Sequence, residues 1–185
     1  MTASRRLFFA LALPESICHQ VVDWRAGHFP IETGRPVAAG NLHLTLAFLG
    51  DVSADKERAL RAAAIRLQQK SFTFTLDDCG HWPGSGVVWL GMRRAPRGLL
   101  QLAQWLRSRA ARSGCYQHPL PFHPHITLFR QATHAVALPP AAPGWHIEAD
   151  SFGLYASSDE HGRRTYKLLQ NWPLAPQEGF APGPL

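Results

Sequence analysis

"PFHPHITLFR" spans Pro121 to Arg130, and "NLHLTLAFLG" spans Asn41 to Gly50. Each sets a histidine and a threonine two residues apart inside an apolar run: His43 with Thr45, and His125 with Thr127. Residues i and i+2 of a strand project from the same face, ~6.6 Å apart. Leu42, Leu44 and Leu46 then point the other way, as do Ile126 and Leu128. Each strand has one dry face and one face bearing an imidazole beside a hydroxyl. A buried strand gains nothing from those polar groups. The matched spacing therefore reads as two strands used as a pair.

The rest of the chain supplies a frame for that pair. Strands are expected at Arg6–Leu13, Leu42–Leu49, Phe72–Asp78, Val87–Met92, His123–Phe129, His146–Ala156 and Arg164–Leu169, from β-branched and aromatic runs between Gly, Pro and Asp breaks. Helices are expected at Pro14–Arg25, Ala54–Gln69 and Arg97–Ser113. Pro14 suits a first helical turn. Ser53 suits an N-cap, followed by Leu60, Ala64 and Leu67 on one face. Gly114 marks the end of the third helix, and "SSDEHGRR" reads as a hairpin turn. The order β-α-β-α-β-β-α-β-β-β gives one α+β unit with room for two lobes. Residues 1–172 form that two-lobed domain. Residues 173–185, "PLAPQEGFAPGPL", are expected to be a disordered tail.

Composition narrows the function classes. The chain has 185 residues, 45% of them hydrophobic and 17% charged, which suits a folded domain and not a disordered one. Lys+Arg exceed Asp+Glu by 19 to 13, and the net charge of +6 favours an anionic partner such as nucleic acid or nucleotide. Three scattered cysteines, Cys18, Cys79 and Cys115, fit reduced thiols in the cytoplasm better than a disulfide frame. The opening "MTASRRLFFALALPES" has the charge and apolar run of a signal peptide, but its A-x-A falls inside the run, so it reads as a first strand. No segment approaches the ~18 apolar residues that span a membrane.

Two His–Thr pairs facing each other suit in-line displacement at phosphorus. The attacking and leaving oxygens lie on opposite sides of the phosphorus, so a base must stand behind one and an acid behind the other. Histidine serves both roles near neutrality. Threonine hydroxyls can donate to the non-bridging oxygens as negative charge builds. Arg130, five residues after His125, can grip phosphate bidentately. Strict alternation puts Arg130 on the wrong face, so it serves only if the strand ends or bulges near Phe129. Phe48 holds the same place relative to His43, as either a core residue or a platform on which a base stacks.

The paired "HLTL" and "HITL", with "RLFFALALP", "NLHLTLAFLGDV", "VVWLGM" and "FHPHITLFR", resemble the two-histidine phosphoesterase superfamily, in its bacterial RNA 2′,3′-cyclic phosphodiesterase branch, historically called 2′-5′ RNA ligase. The resemblance covers most of Arg6 to Trp172. It implies a bilobal α+β fold: a pseudo-two-fold pair of mainly antiparallel sheets, helices outside and a central cleft. It also implies a site without metal or other cofactor, with His43 as proton donor and His125 as proton acceptor. The expected substrates are RNA with 2′,3′-cyclic phosphate ends or cyclic nucleotides, opened to 2′-phosphomonoesters by a monomeric enzyme. Run in reverse, such a site joins RNA ends without ATP, and no P-loop motif is present.

Two other readings of the same residues stand beside this one. A non-catalytic RNA-binding module needs the cleft for grip alone. A metal-dependent phosphohydrolase can use His123 and His125 as half of a zinc site, although no E-x-x-H or C-x-x-C accompanies them. His123 otherwise reads as support for the strand or the cleft rim. Trp82, Trp89, Trp105 and Trp172 read as core. Arg93, Arg94 and Arg97, and separately Arg163 and Arg164, read as solvated turn residues or a basic rim of the cleft.

Overall fold

A computed structural model describes residues 4–177. Strand β1 (Ser4–Ala12) runs into helix α1 (Glu15–His28), and a short strand β2 (Arg35–Pro36) leads to β3 (His43–Ser53). Helix α2 (Ala54–Arg66) follows, then β4 (Phe72–Leu76), β5 (Asp78–Trp82), β6 (Val87–Gly91) and α3 (Arg97–Arg112). The chain closes with β7 (His125–Arg130), β8 (Trp145–Ala149), β9 (Ser151–Glu160) and β10 (Arg163–Pro173).

The main sheet runs β10-β9-β1-β3-β7-β6-β5, with β2 alongside β7, and β4 pairs β8 in a second, two-stranded sheet. All these pairings are antiparallel. The main sheet is two half-sheets meeting at a seam, since β3 and β7 share only the pair Leu44 and Ile126. Both residues are 0% exposed. The mainly antiparallel α+β fold is the one the sequence reading expects.

Local chemistry explains the element ends. Ser53 Oγ caps α2 by accepting from the Lys56 N–H, and Leu60 and Ala64 are buried beneath it. Helix α3 ends at Gly114, whose φ of +82° suits glycine. There Cys115 N–H reaches Ala110 O and Gly114 N–H reaches Ala111 O, a Schellman closure. His161 and Gly162 both take positive φ at the tip of the β9–β10 hairpin, as a two-residue I′ turn requires.

Three expectations are corrected. The run 146–156 is two strands in different sheets, broken at Asp150, whose carbonyl accepts from Leu174 N–H. The run 72–78 likewise breaks at Asp77, whose carboxylate takes the Arg93 N–H, and β5 begins beyond it. Residues just after Trp172 are held rather than frayed: Leu174 is 6% exposed, and Ala175 bonds to Gln69 and Ser71. Their apolar and backbone groups find partners beside α2, which composition could not reveal. The remainder of the expected disordered tail, from residue 178, lies outside the described residues.

Candidate active site

The antiparallel pair at Leu44 and Ile126 defines a local two-fold axis. That axis exchanges His43 with His125 and Thr45 with Thr127. All four face away from the core and line one cleft of about 1040 Å³. The sequence predicts this juxtaposition, and the seam produces it.

Both strands then break alternation at the same step. In β3, Ala10 pairs Thr45 and Phe9 pairs Ala47, which leaves Leu46 as a bulge. In β7, Trp89 pairs Thr127 and Val88 pairs Phe129, which leaves Leu128 as a bulge. The extra residue shifts the side chains that follow it to the opposite face. Phe48 and Arg130 therefore emerge on the histidine side, and both line the cleft. Phe48 is 65% exposed, so it is no core residue.

A residue that the sequence reading left unremarked secures the second bulge. Arg25 of α1 is 8% exposed, and its guanidinium donates to Val37 O at 2.7 Å and Leu128 O at 3.0 Å. Val37 N–H donates to the same Leu128 carbonyl. Gly34 backs the strand end so closely that a Cβ there would lie 2.6 Å from Arg130 O. A lone arginine near a helix C-terminus carries no sequence signal for such a role.

Each imidazole is oriented in the same way. His43 Nδ1 donates to Asn41 O at 2.7 Å, and His125 Nδ1 donates to His123 O at 2.8 Å. A carbonyl only accepts, so in the neutral rings the proton sits on Nδ1 and Nε2 carries the lone pair. Thr45 Oγ1 lies 2.8 Å from His43 Nε2 and donates to it.

The surroundings of the two rings differ. His43 is wedged between Phe8, at 4.9 Å, and the edge of Tyr166, at 5.0 Å between centroids. His125 meets Trp82 edge-on at 4.7 Å. Trp82 is thus a cleft residue, not core, whereas Trp89 and Trp172 are buried. Arg130 Nη2 donates to Tyr166 Oη at 3.4 Å across the seam. Trp82 and Tyr166 had no motif to mark them, and nothing in "RLFFALALP" gave Phe8 a role, since only strand pairing brings the three beside the histidines.

Burial pushes the His43 imidazole down to about 4, the Asn41 carbonyl draws it back up in part, and positive charge at Arg130 and His125 lowers it further. His125 is also lowered by burial, opposed by the His123 carbonyl and assisted by His123 and Arg130. Both rings are therefore neutral in the empty cleft near pH 7. A bound anion opposes the same charges and raises both.

His123 is exposed, packs edge-on against Trp82 and Trp89, and supports His125 through its carbonyl. Among the described residues, no group of three or more His, Cys, Asp or Glu is placed to hold a metal ion. Arg163 and Arg164 line the cleft. Arg93 and Arg94 do not: they border a separate hollow of about 380 Å³ with Thr75 and His146.

Residues 13–152 match the family model of the 2′-5′ RNA ligase superfamily. The chain belongs to that superfamily. It is 59% identical over 174 residues to the RNA 2′,3′-cyclic phosphodiesterase of Escherichia coli (strain K12), covering 94% of this chain and 99% of the relative. The enzyme of the same name from Thermus thermophilus is 31% identical, over 94% of this chain and 92% of its own. Among solved structures, E. coli LigT complexed with 3′-AMP superposes with a TM-score of 0.90 at 60% identity, covering 92% of this chain and 98% of that one. This member of the 2′-5′ RNA ligase superfamily thus shares the family fold along nearly its whole length. No helix among its described residues is long and apolar enough to cross a membrane.

Proposed function

We propose that this protein hydrolyses the 2′,3′-cyclic phosphate ends of RNA to 2′-phosphomonoesters. One observation carries the mechanism: two imidazoles related by a local two-fold present Nε2 to one cleft, each locked by an Nδ1–H to carbonyl bond. The likeness to RNA 2′,3′-cyclic phosphodiesterases supports the substrate class. The structure of E. coli LigT complexed with 3′-AMP supports a ribonucleotide as the ligand.

In this mechanism His125 Nε2 takes a proton from water as its oxygen attacks phosphorus. The P–O3′ bond opposite breaks, and His43 Nε2–H protonates the departing O3′. Arg130 and the hydroxyls of Thr45 and Thr127 hold the non-bridging oxygens, where charge accumulates. Phe48 stacks on the base. With a 5′-hydroxyl of RNA in place of water, the same proton transfers make a 2′-5′ phosphodiester. Acid, base and charge stabilisation all come from side chains, so no metal or other cofactor is needed.

The lowered imidazoles give substrate binding a further role. His43 must be protonated to act as an acid, yet burial keeps it neutral in the empty cleft. The phosphate charge raises it, so binding takes up a proton. The rate is then bell-shaped in pH, set by one neutral and one protonated imidazole. The decisive experiment incubates the protein with a 2′,3′-cyclic nucleotide and a metal chelator, with phosphorus NMR of the product. A pure 2′-phosphomonoester is expected. A pure 3′-phosphate would reverse the substrate pose or the two histidine roles, and inhibition by chelator would return the metal-dependent reading. Binding without turnover in the unaltered protein would return the non-catalytic one.

A further inference from the structure

The cleft is larger and more basic than one terminal nucleotide requires. Its volume of about 1040 Å³ just exceeds the ~300–1,000 Å³ that encloses a drug-sized ligand. Besides Arg130, it is lined by Arg6, Arg35, Arg163 and Arg164, from three different strands. Asp159 is the one carboxylate in this lining, and it is already paired with Arg164 at 3.2 Å. Among the described residues Arg6, Arg35 and Arg163 have no carboxylate partner.

Strand pairing fixes where these charges stand. Arg35 is directly opposite Arg130 in the β2–β7 ladder, so the two side chains leave the same face. Its Nη2 donates to Gly162 O at 3.3 Å, at the tip of the β9–β10 hairpin. Asn41 Nδ2 donates to Arg164 O at 2.9 Å, a second tie between the loop before β3 and that hairpin. Arg6 is two residues, ~6.6 Å, along β1 from Phe8, which packs on His43. Its ladder partner Ser157 accepts from Arg164 Nη1 at 2.9 Å. The arginines thus form an arc that starts beside Arg130 and ends beyond Phe8, away from the reacting groups.

We propose that this arc is a backbone track for single-stranded RNA, in which Arg6, Arg35 and Arg163 bind the phosphodiesters on the 5′ side of the terminal nucleotide. The inference rests on the cyclic phosphodiesterase reading, because only a 3′-terminal cyclic phosphate leaves the chain to extend in one direction from the cleft. The protein then selects RNA ends over free cyclic mononucleotides by charge rather than by base sequence.

The test compares a nucleoside 2′-monophosphate with a short oligoribonucleotide ending in a 2′-phosphate, titrated into the full chain at several salt concentrations. The oligonucleotide should bind at least tenfold more tightly at low salt. With two added phosphates neutralised, its log K against log salt should be steeper by about 1.4, or about 0.7 per phosphate. In the variant R35Q/R163Q, the loss for the oligonucleotide should exceed that for the mononucleotide by at least tenfold. R163Q alone, at the exposed flank of the turn, should give a smaller loss of the same kind if the double variant does not fold. Equal slopes for the two ligands, or equal losses in the variants, would overturn the track. Turnover of a cyclic mononucleotide decides the underlying reading separately, so failure of one is distinguishable from failure of the other.

Discussion

The two H-x-T strands share their backbone and differ in what surrounds it. Both show one sequence of partly exposed and buried positions from the histidine onward, both bulge at its third successor, and both hold Nδ1 on the carbonyl two residues back. At the fifth successor, however, one strand carries Phe48 and the other Arg130. His43 sits between Phe8 and Tyr166 and accepts from Thr45, whereas His125 meets Trp82 and has no such bond from Thr127 among the described residues. Symmetric backbone chemistry turns both imidazoles into one cleft. Asymmetric neighbours make the two sides of that cleft chemically different.

Deleting what the halves share should have the largest effect. His43→Ala and His125→Ala are each expected to lower turnover by roughly 10²–10⁴. The double variant should lose much less than the product of the two, because acid and base act as a unit. Single-turnover rates of folded variants check this, and a near-normal rate in either would remove that residue from the pair.

The next effect breaks the symmetry at the fifth successor. Arg130→Ala should lower kcat by about 10²–10³, the range for a donor to developing charge. Phe48→Ala should instead act mainly on KM, at about 1–3 kcal/mol for a stacked base. Initial-rate kinetics across substrate concentration separates the two. Equal effects on kcat would show that the two positions are interchangeable.

Thr45→Val and Thr127→Val keep the strand shape and remove one hydroxyl each, at an expected ~1–3 kcal/mol in kcat/KM. Thr45→Val should also shift the limb of the pH–rate profile that His43 sets, since Thr45 alone of the two is bonded to an Nε2 in the empty site. Identical profiles for the two variants would cancel that distinction.

The smallest effect is on stability. In the folded chain His43 is lowered from 6.5 to about 4 by burial. As pH falls through 6.5 the unfolded chain takes the proton first, so stability declines between about 6.5 and 4 and not further below from this group. His125, lowered in the same direction, adds to the decline. Thermal unfolding of His43→Gln across that window should show a shallower fall than the unaltered protein. An unchanged slope would mean that His43 is better solvated than its packing against Phe8 and Tyr166 implies.

The sequence by itself determined the pair of strands and the chemistry on them. Period-two alternation fixes that His43 and Thr45 share a face, as do His125 and Thr127, whatever the rest of the chain does. Local signals also placed the Ser53 cap, the Gly114 stop and the hairpin tip, because each depends on a few adjacent residues. The tertiary structure alone decided the rest. It brought Leu44 against Ile126, and so turned two motifs into one site around an axis. It supplied the bulges that bring Phe48 and Arg130 to the histidine side, against strict alternation, with buried Arg25 holding the second through Leu128 O. It also set Phe8, Trp82 and Tyr166 around the imidazoles. Bulges and ring contacts depend on partners far away in the chain, and a one-residue shift in pairing exchanges the faces of a strand.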